Sequence, residues 1–507
     1  MRRSAALESI WNSGRYFGNN RSNAYVTVNP TWTLANDYSS SSSVYQWWRV
    51  PFRRWAGTGT DVEVPKNVLK TISINRAMDQ DAAQLTLTIK NVHPDGGPNL
   101  AGQGHFSIRQ GSPQAGARWP GHTATEWGAW GGGDGDFHYG YLAPGCMIKT
   151  YQGWGGYNLS RSAAVSAGNV VITGVWVIDD VNETSNGDLT VSARDLGMLL
   201  VDQVMYPDFL PDGCYPTQFY SATWNEEVND DAAGFYPTAT NYADLSEIVE
   251  LIALWAGFHA PSQDGMLGLL ESTGIDSPAP FKADFFDKKT PIDVIKALGE
   301  IVGYRAWVNP EGGLHFTSQN TWQAGNRTYG GGYVPFAFDI DEYKTLMDFT
   351  GSWTKRADRS NVIVSQGNPA IMEGVKNANF NTNTSIVKNQ LHGMQSPAFF
   401  PLDRDIPLKE MVTLAELTGL RMWFARHRGT LSAAANPLID PDDQVRVFEK
   451  TTWETYLHRV RSVSTEYDEQ TGHYTMNLDL MWVGPDNSGW QVTVGPEGHV
   501  NYNGGTE

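Results

Sequence analysis

His122 and His138 stand near Glu126, Asp134 and Asp136 in a glycine-rich stretch, and imidazole grouped with carboxylate is what a metal ion would need. The spacing matches no zinc motif. The run Gly133-Asp134-Gly135-Asp136 also lacks the glutamate that a calcium-binding EF-hand loop carries at its twelfth position. A surface loop is the expectation there, with a metal near His138 left open. His315, His427, His458 and His473 fall in strand or helix patterns and read as structural.

Three carboxylate pairs, Asp179 with Asp180, Asp339 with Asp341 and Asp403 with Asp405, have the composition of a glycosidase acid and base. Such a pair needs about 5 to 10 Å between its carboxyls across a sugar cleft, and an acidic chain supplies many pairs by accident. No Gly-x-Ser-x-Gly elbow, His-Glu-x-x-His helix or Walker loop is present. Gly131-Gly132-Gly133 follows no apolar strand and opens no helix, so it is a poor phosphate cradle. The expectation is a chain without catalytic residues, cofactor or resident metal.

Trp47, Trp48, Trp55, Trp119, Trp127, Trp130 and Trp154 could stack on sugar rings. They could equally be interface residues, because aromatics bury much area at low entropy cost; the sequence favours the interface slightly. Arg49, Arg53 and Arg54 form a small basic spot suited to carboxylate partners.

The scaffold that positions these residues is bounded by composition. The chain has 507 residues, enough for roughly three domains. Lys plus Arg number 37 and Asp plus Glu 55, a net charge of −18, which makes a basic nucleic-acid clamp improbable for the whole molecule. Charged residues are 18% against an average of about 25%, while Gly (52), Trp (19), Tyr (21) and Phe (20) are abundant; turn-rich β structure follows. Cys146 and Cys214 are too few for a disulfide framework. No stretch approaches the roughly 20 apolar residues of a membrane span, and no apolar region follows Arg2 and Arg3, so a soluble chain without a Sec-type signal is expected.

Residues 1–61 read as a polar, aromatic arm that packs on something else. Val68 to Ile74 and the alternating Leu85, Leu87, Ile89 predict two strands, and residues 93–145 a long loop excursion. Cys146 to Tyr151, Val170 to Val181 and Leu189 to Ala193 predict further strands, the last two joined at Asn186-Gly187, with a short helix inside Asp195 to Val204. Ile248, Leu251, Ile252 and Trp255 mark an amphipathic helix capped by Asp244 or Ser246 and ended by Gly257. A second has Thr290 as N-cap, Pro291 first, the stripe Ile292, Ile295, Leu298, Val302 and Gly303 at its exit. A hairpin follows, Tyr304 to Val308 and Leu314 to Phe316. Leu346 to Trp353, Val362 to Val364 and Gln444 to Phe448 predict strands; residues 405–428 predict one long helix. Tyr456 to Tyr467 and His473 to Val483 predict a long hairpin.

Certain segments resemble a known family. Ile72 to Asn91, with Arg76, Asp79 and Gln80, is similar to the opening β unit of minor tail proteins from phages of actinobacteria. Val170 to Asp179 and Gly187 to Asp195 resemble the strand pair and helix entry of tail-hub barrels. Thr290-Pro-Ile-Asp-Val-Ile, Gly303-Tyr304 and Gly312 to Phe316 resemble the hubs' small α+β domain. Asn436-Pro-Leu, Pro441-Asp-Asp-Gln-Val and Val460 to Gly484 resemble their second barrel. The family is the baseplate or tail-tip hub, related to the spike base of contractile tails and type VI secretion systems.

The resemblance implies a mainly β chain, with two hub-type β-barrels flanking a small α+β domain. The divisions are the arm 1–61, a first barrel 62–210 containing the excursion 93–145, the α+β domain 211–340, a second barrel 341–484 with helix 405–428, and a tail 485–507 carrying no cell-wall-degrading domain. It further implies a non-enzymatic homotrimer in the virion tail tip, made in the host cytoplasm, whose six barrels adapt a sixfold tube to a threefold tip. Expected neighbours are a distal tail protein or the tail tube above, tail-tip or receptor-binding proteins below, the tape measure protein, and genomic DNA passing through the lumen. Negative charge would let a ring enclose DNA without gripping it. Two alternatives stand: a receptor- or glycan-binding tail component, and a peptidoglycan or glycoside hydrolase.

Overall fold

Alternating apolar and polar residues set the first sheet, and the strands form where that alternation predicts. The computed structural model describes residues 4–7, 9, 21–29, 33–37, 52–56, 61–90, 142, 144–184, 188–205, 245–258, 267–270, 288–302, 304–318, 327–329, 332–334, 337–341, 348–353, 361–368, 373–381, 398–402, 412, 415, 427–449, 454–485, 491–494 and 500–503. The N-terminal part contributes β1 (Ser22–Asn29), β2 (Thr33–Asp37), β3 (Phe52–Ala56), β4 (Val62–Glu63), β5 (Leu69–Ala77), β6 (Gln84–Lys90), β7 (Met147–Trp154), helix α1 (Arg161–Ser166), β8 (Val170–Glu183), β9 (Asp188–Asp195) and α2 (Met198–Val201). In β6 the buried positions are Leu85, Leu87 and Ile89, as the alternation requires. Strands β8 and β9 pair antiparallel down to Glu183 opposite Leu189; their connecting Asn186-Gly187 lies outside the described residues.

The middle part is α+β. Helix α3 (Leu245–Ala256) buries Leu245, Val249, Ile252, Ala253 and Ala256, a stripe at helical spacing. Because it starts at Leu245, Ser246 lies within its first turn and is not its cap. Strand β10 (Leu267–Leu270) precedes α4 (Pro291–Val302). Thr290 caps α4: its Oγ1 accepts from the Asp293 amide at 3.3 Å. Strands β11 (Tyr304–Val308) and β12 (Leu314–Ser318) form the expected hairpin, with Asn309 Oδ1 accepting the Gly313 and Glu311 amides across the turn.

The C-terminal part adds β13 (Arg327–Tyr329) and β14 (Gly332–Val334), a two-stranded ribbon, then β15 (Ala337–Asp341) and β16 (Asp348–Trp353). A small sheet of β17 (Asn361–Asn368), β18 (Glu373–Asn381) and β19 (Ala398–Leu402) follows. The series ends with β20 (His427–Ala434), β21 (Gln444–Glu449), the hairpin β22 (Glu454–Asp468) and β23 (His473–Pro485), and the ribbon β24 (Gln491–Val494) and β25 (Val500–Asn503).

Strands from both ends of the chain are hydrogen-bonded into one 13-stranded sheet, in the order β16-β20-β23-β22-β5-β6-β9-β8-β7-β1-β4, with β15 and β21 branching from β22. The join lies within β22. Its residues Glu454 to Arg459 pair with β21, and Ser462 to Asp468 pair with β5, so one strand serves two partners in succession along the same edge. Its core is shared too: Ile72, Leu85 and Val191 belong to the same apolar cluster as Val445, Val460 and Leu478. A second cluster joins α2, α3 and α4 to β12 and to Met147, Val175 and Val177 on the other face of the sheet.

Three expectations change. Ser22–Asn29, read as part of a packing arm, is a core strand of the main sheet: all eight residues are buried and pair with β7 from Ser22↔Trp154 to Asn29↔Met147. The helix predicted over 405–428 does not reach Arg428, because His427 and Arg428 are held in β20 by ladders to β16 and β23. The rest of that segment lies outside the described residues, apart from residues 412 and 415, which are helical. The helix inside Asp195 to Val204 shrinks to four residues. Asp195 still belongs to β9, and Val204 is 52% exposed rather than on the buried stripe.

Candidate functional site

Strong β-formers bring two edges of this curled sheet together without a backbone ladder, and the side chains that close the gap form the most densely connected polar group among the described residues. Tyr25, Val26 and Val28 commit β1 to a strand, and Gly472, at φ +69, permits the tight tip of the β22–β23 hairpin. The tip reaches back to the start of β1. Ser22 Oγ donates to the Gly472 carbonyl at 2.6 Å, Arg21 Nη2 donates to the Glu469 carbonyl at 2.9 Å, and the Glu469 amide donates to the Lys70 carbonyl at 2.9 Å.

Glu469 is 7% exposed, and a buried carboxylate needs donors. It receives the Tyr157 hydroxyl at 2.6 Å and the Tyr467 hydroxyl in a short bond, with Arg21 at 3.9 Å. Both phenols titrate above their ordinary range. For Tyr157 the chief cause is that bond to the carboxylate, and for Tyr467 it is burial followed by the same bond.

Lys66 completes the group. Its Nζ donates to Asn23 Oδ1 at 2.6 Å and to the Tyr157 carbonyl at 2.9 Å, and lies 4.0 Å from the Tyr25 ring centroid and 4.5 Å from that of Tyr157. Desolvation pulls its pKa down, against the opposing pull of Glu469 and Glu63. Arg21 stacks over Tyr157 at 4.0 Å, and Tyr25 donates to the Leu159 carbonyl at 2.7 Å. The arrangement fixes strands: each carboxylate oxygen of Glu469 accepts one phenol, with the Arg21 guanidinium at ion-pair distance.

Trp154 stands at the apolar side of the same seam. It is 4% exposed, donates Nε1–H to the Ala435 carbonyl at 2.8 Å and packs on Tyr474 at 5.6 Å between centroids. The expectation that Trp154 serves a partner interface or stacks on a glycan is therefore corrected: the interface it fills is internal, between β7 and the C-terminal strands. Trp55 lies in β3 opposite Leu34. Trp47, Trp48, Trp119, Trp127, Trp130, His122 and His138 lie outside the described residues.

The carboxylate pair Asp179–Asp180 is also engaged. Arg194 donates to Asp179 through Nε at 2.6 Å and Nη2 at 2.7 Å, and also to Asp202, while Asn182 donates to Asp180 at 2.6 Å. A bidentate guanidinium holds Asp179 as a structural anion. Asp339 and Asp341 lie in β15, paired with Arg446 and Phe448 of β21; Asp403 and Asp405 lie outside the described residues. Of the described histidines, His315 stacks on Trp307 at 4.6 Å with Asn309 Nδ2 2.9 Å from its Nε2.

Sequence reading missed two groups. One is Asp195, buried where β9 hands over to α2: its carboxylate accepts the Gly197 amide at 2.9 Å, and burial pushes its pKa up to about 7. The other is the ionic set where β22 changes partner. Arg459 pairs with Asp442, Arg461 with Asp79 at 2.7 Å, and Arg76 with Asp440 at 3.3 Å. Arg76, Asp79, Asp442, Arg459 and Arg461 lay in segments the sequence had marked, but their pairing was not visible there; Asp79 is held below the ordinary carboxylate range chiefly by the Arg461 bond.

No family model matches the chain, and no curated protein matches it by sequence. Solved structures do. The 43 kDa tail protein of prophage MuSo2 from Shewanella oneidensis aligns with a TM-score of 0.50 at 11% identity, over 92% of this chain and 99% of that one. The tail protein from Neisseria meningitidis MC58 aligns at 0.47 and 11% identity, over 91% and 96%. An E. coli type VI secretion component, described as similar to T4 tail proteins gp27 and gp5, aligns at 0.37 and 9% identity, over 82% and 74%. The chain shares its mainly β fold with the MuSo2 tail protein along nearly the full length of both.

Proposed function

We propose that this chain is a structural component of a phage tail tip, its baseplate hub, and acts as a homotrimer. The observation that carries this reading is the fold held in common with the MuSo2 tail protein over 92% of the chain. The narrower likeness to phages of actinobacteria rests on the sequence segments from Ile72 to Gly484 alone.

In this reading three copies form a ring under the tail tube, and the two β-rich portions of each copy supply six positions that meet the tube's sixfold symmetry. The distal tail protein or tube sits above, receptor-binding or other tail-tip proteins below, and the tape measure protein and then the genome pass through the bore. The net charge of −18 suits that passage, since phosphates meet like charge rather than cationic traps. Subunits would associate through large apolar and aromatic faces, typically about 2,000 Å² or more in permanent assemblies.

A non-enzymatic role is part of the proposal. The Arg194 clamp on Asp179 and the phenol clamp on Glu469 support it, because each occupies a carboxylate that a hydrolase would need free. Native mass measurement of the purified chain tests the assembly: a threefold multiple of the subunit mass is expected, and a stable monomer or dimer at micromolar concentration contradicts it.

A further inference from the structure

We propose that Lys66 and Asn23 join in an intramolecular amide bond that fastens β1 into the sheet. The geometry is that of two reacting groups held together. Lys66 Nζ lies 2.6 Å from Asn23 Oδ1, so the amine and the carboxamide are already in contact, and attack needs only that the nitrogen swing from the oxygen onto the face of the carbonyl. Asn23 is wholly buried and cannot turn away: its Nδ2 donates to the Tyr25 hydroxyl and to the Gly155 carbonyl, both at 3.2 Å.

The nucleophile is the neutral amine, and burial lowers the Lys66 pKa toward it, against the opposing attraction of Glu469 and Glu63. In the step, Nζ attacks Asn23 Cγ, the new C–Nζ bond forms and the Cγ–Nδ2 bond breaks. The two protons lost by the Lys66 ammonium leave with Nδ2 as ammonium, so the reaction balances without oxidant, reductant or co-reactant. Glu469, the buried carboxylate of the same group, is the positioning residue that draws the ammonium to the amide.

This inference does not rest on the assignment to a tail tip. The test is intact-mass measurement of the full chain after folding and prolonged incubation, followed by proteolysis. The expected result is a chain lighter than its sequence by one ammonia, and a branched peptide linking the segments that contain residues 23 and 66. Lys66→Arg should restore the full mass while keeping a cation between the rings. Glu469→Gln, if folded by circular dichroism, should slow the loss of ammonia. A succinimide at Asn23 would also shed ammonia, so the loss without a branched peptide overturns the proposal. An unchanged mass overturns it as well.

Discussion

The two places where distant parts of this chain meet are built differently. Where β22 passes from β21 to β5, the join is a backbone ladder, seven residue pairs long from Ser462↔Ala77 to Asp468↔Thr71, and the charged side chains beside it are accessories. Where the hairpin tip meets β1 and β7 there is no ladder, and the contact depends on Trp154, Ser22, Arg21, Tyr157, Tyr467 and Glu469. A ladder spreads its free energy over many equal bonds, so no one side chain is decisive. A seam of a few buried groups concentrates it.

That contrast can be broken by substitution. Trp154→Ala should cost the most, about 3 to 5 kcal/mol in chemical denaturation, from a cavity in the seam and an Ala435 carbonyl left without its donor. An effect below about 1 kcal/mol would mean the seam is not where the sheet is held. Asp195→Asn should act through pH. The folded carboxyl titrates near 7 against an ordinary 3.8, so the folded state binds the extra proton, and wild-type stability falls as pH rises from about 4 to about 7. The Asn variant should lose that slope and be the more stable at pH 8, by on the order of 4 kcal/mol. Identical pH profiles would remove Asp195 from the account.

Glu469→Gln should cost about 2 kcal/mol, since two phenols and Arg21 lose their anion while the side-chain shape stays. Arg461→Ala, at the ladder junction, should cost less than about 1 kcal/mol, because Asp79 is largely exposed and water replaces the pair. If Arg461→Ala proves as damaging as Glu469→Gln, the distinction between the two junctions fails.

Local pattern carried much of the fold. The alternation in Leu85, Leu87, Ile89, the Thr290-Pro291 helix entry and the β22–β23 hairpin are all visible in sequence, since each depends on neighbours within a few residues. What escaped depends on distant ones. β1 carries Ser22, Asn23, Thr27 and Asn29, polar residues that look exposed until partners such as Gly472 and Lys66 are known. The run Tyr25 to Val28 was the available signal. Trp154 was legible as an aromatic but not as a buried one, because its partners Ala435 and Tyr474 lie about three hundred residues away in sequence. For the same reason the change of partner within β22 leaves no local trace.

A density map of the assembled tail tests the tail-hub account most directly. It should show three copies of this chain around the axis immediately below the sixfold tube, each with β22 bridging its two β-rich portions. A copy number that is not a multiple of three, or a position away from the axis, would contradict it.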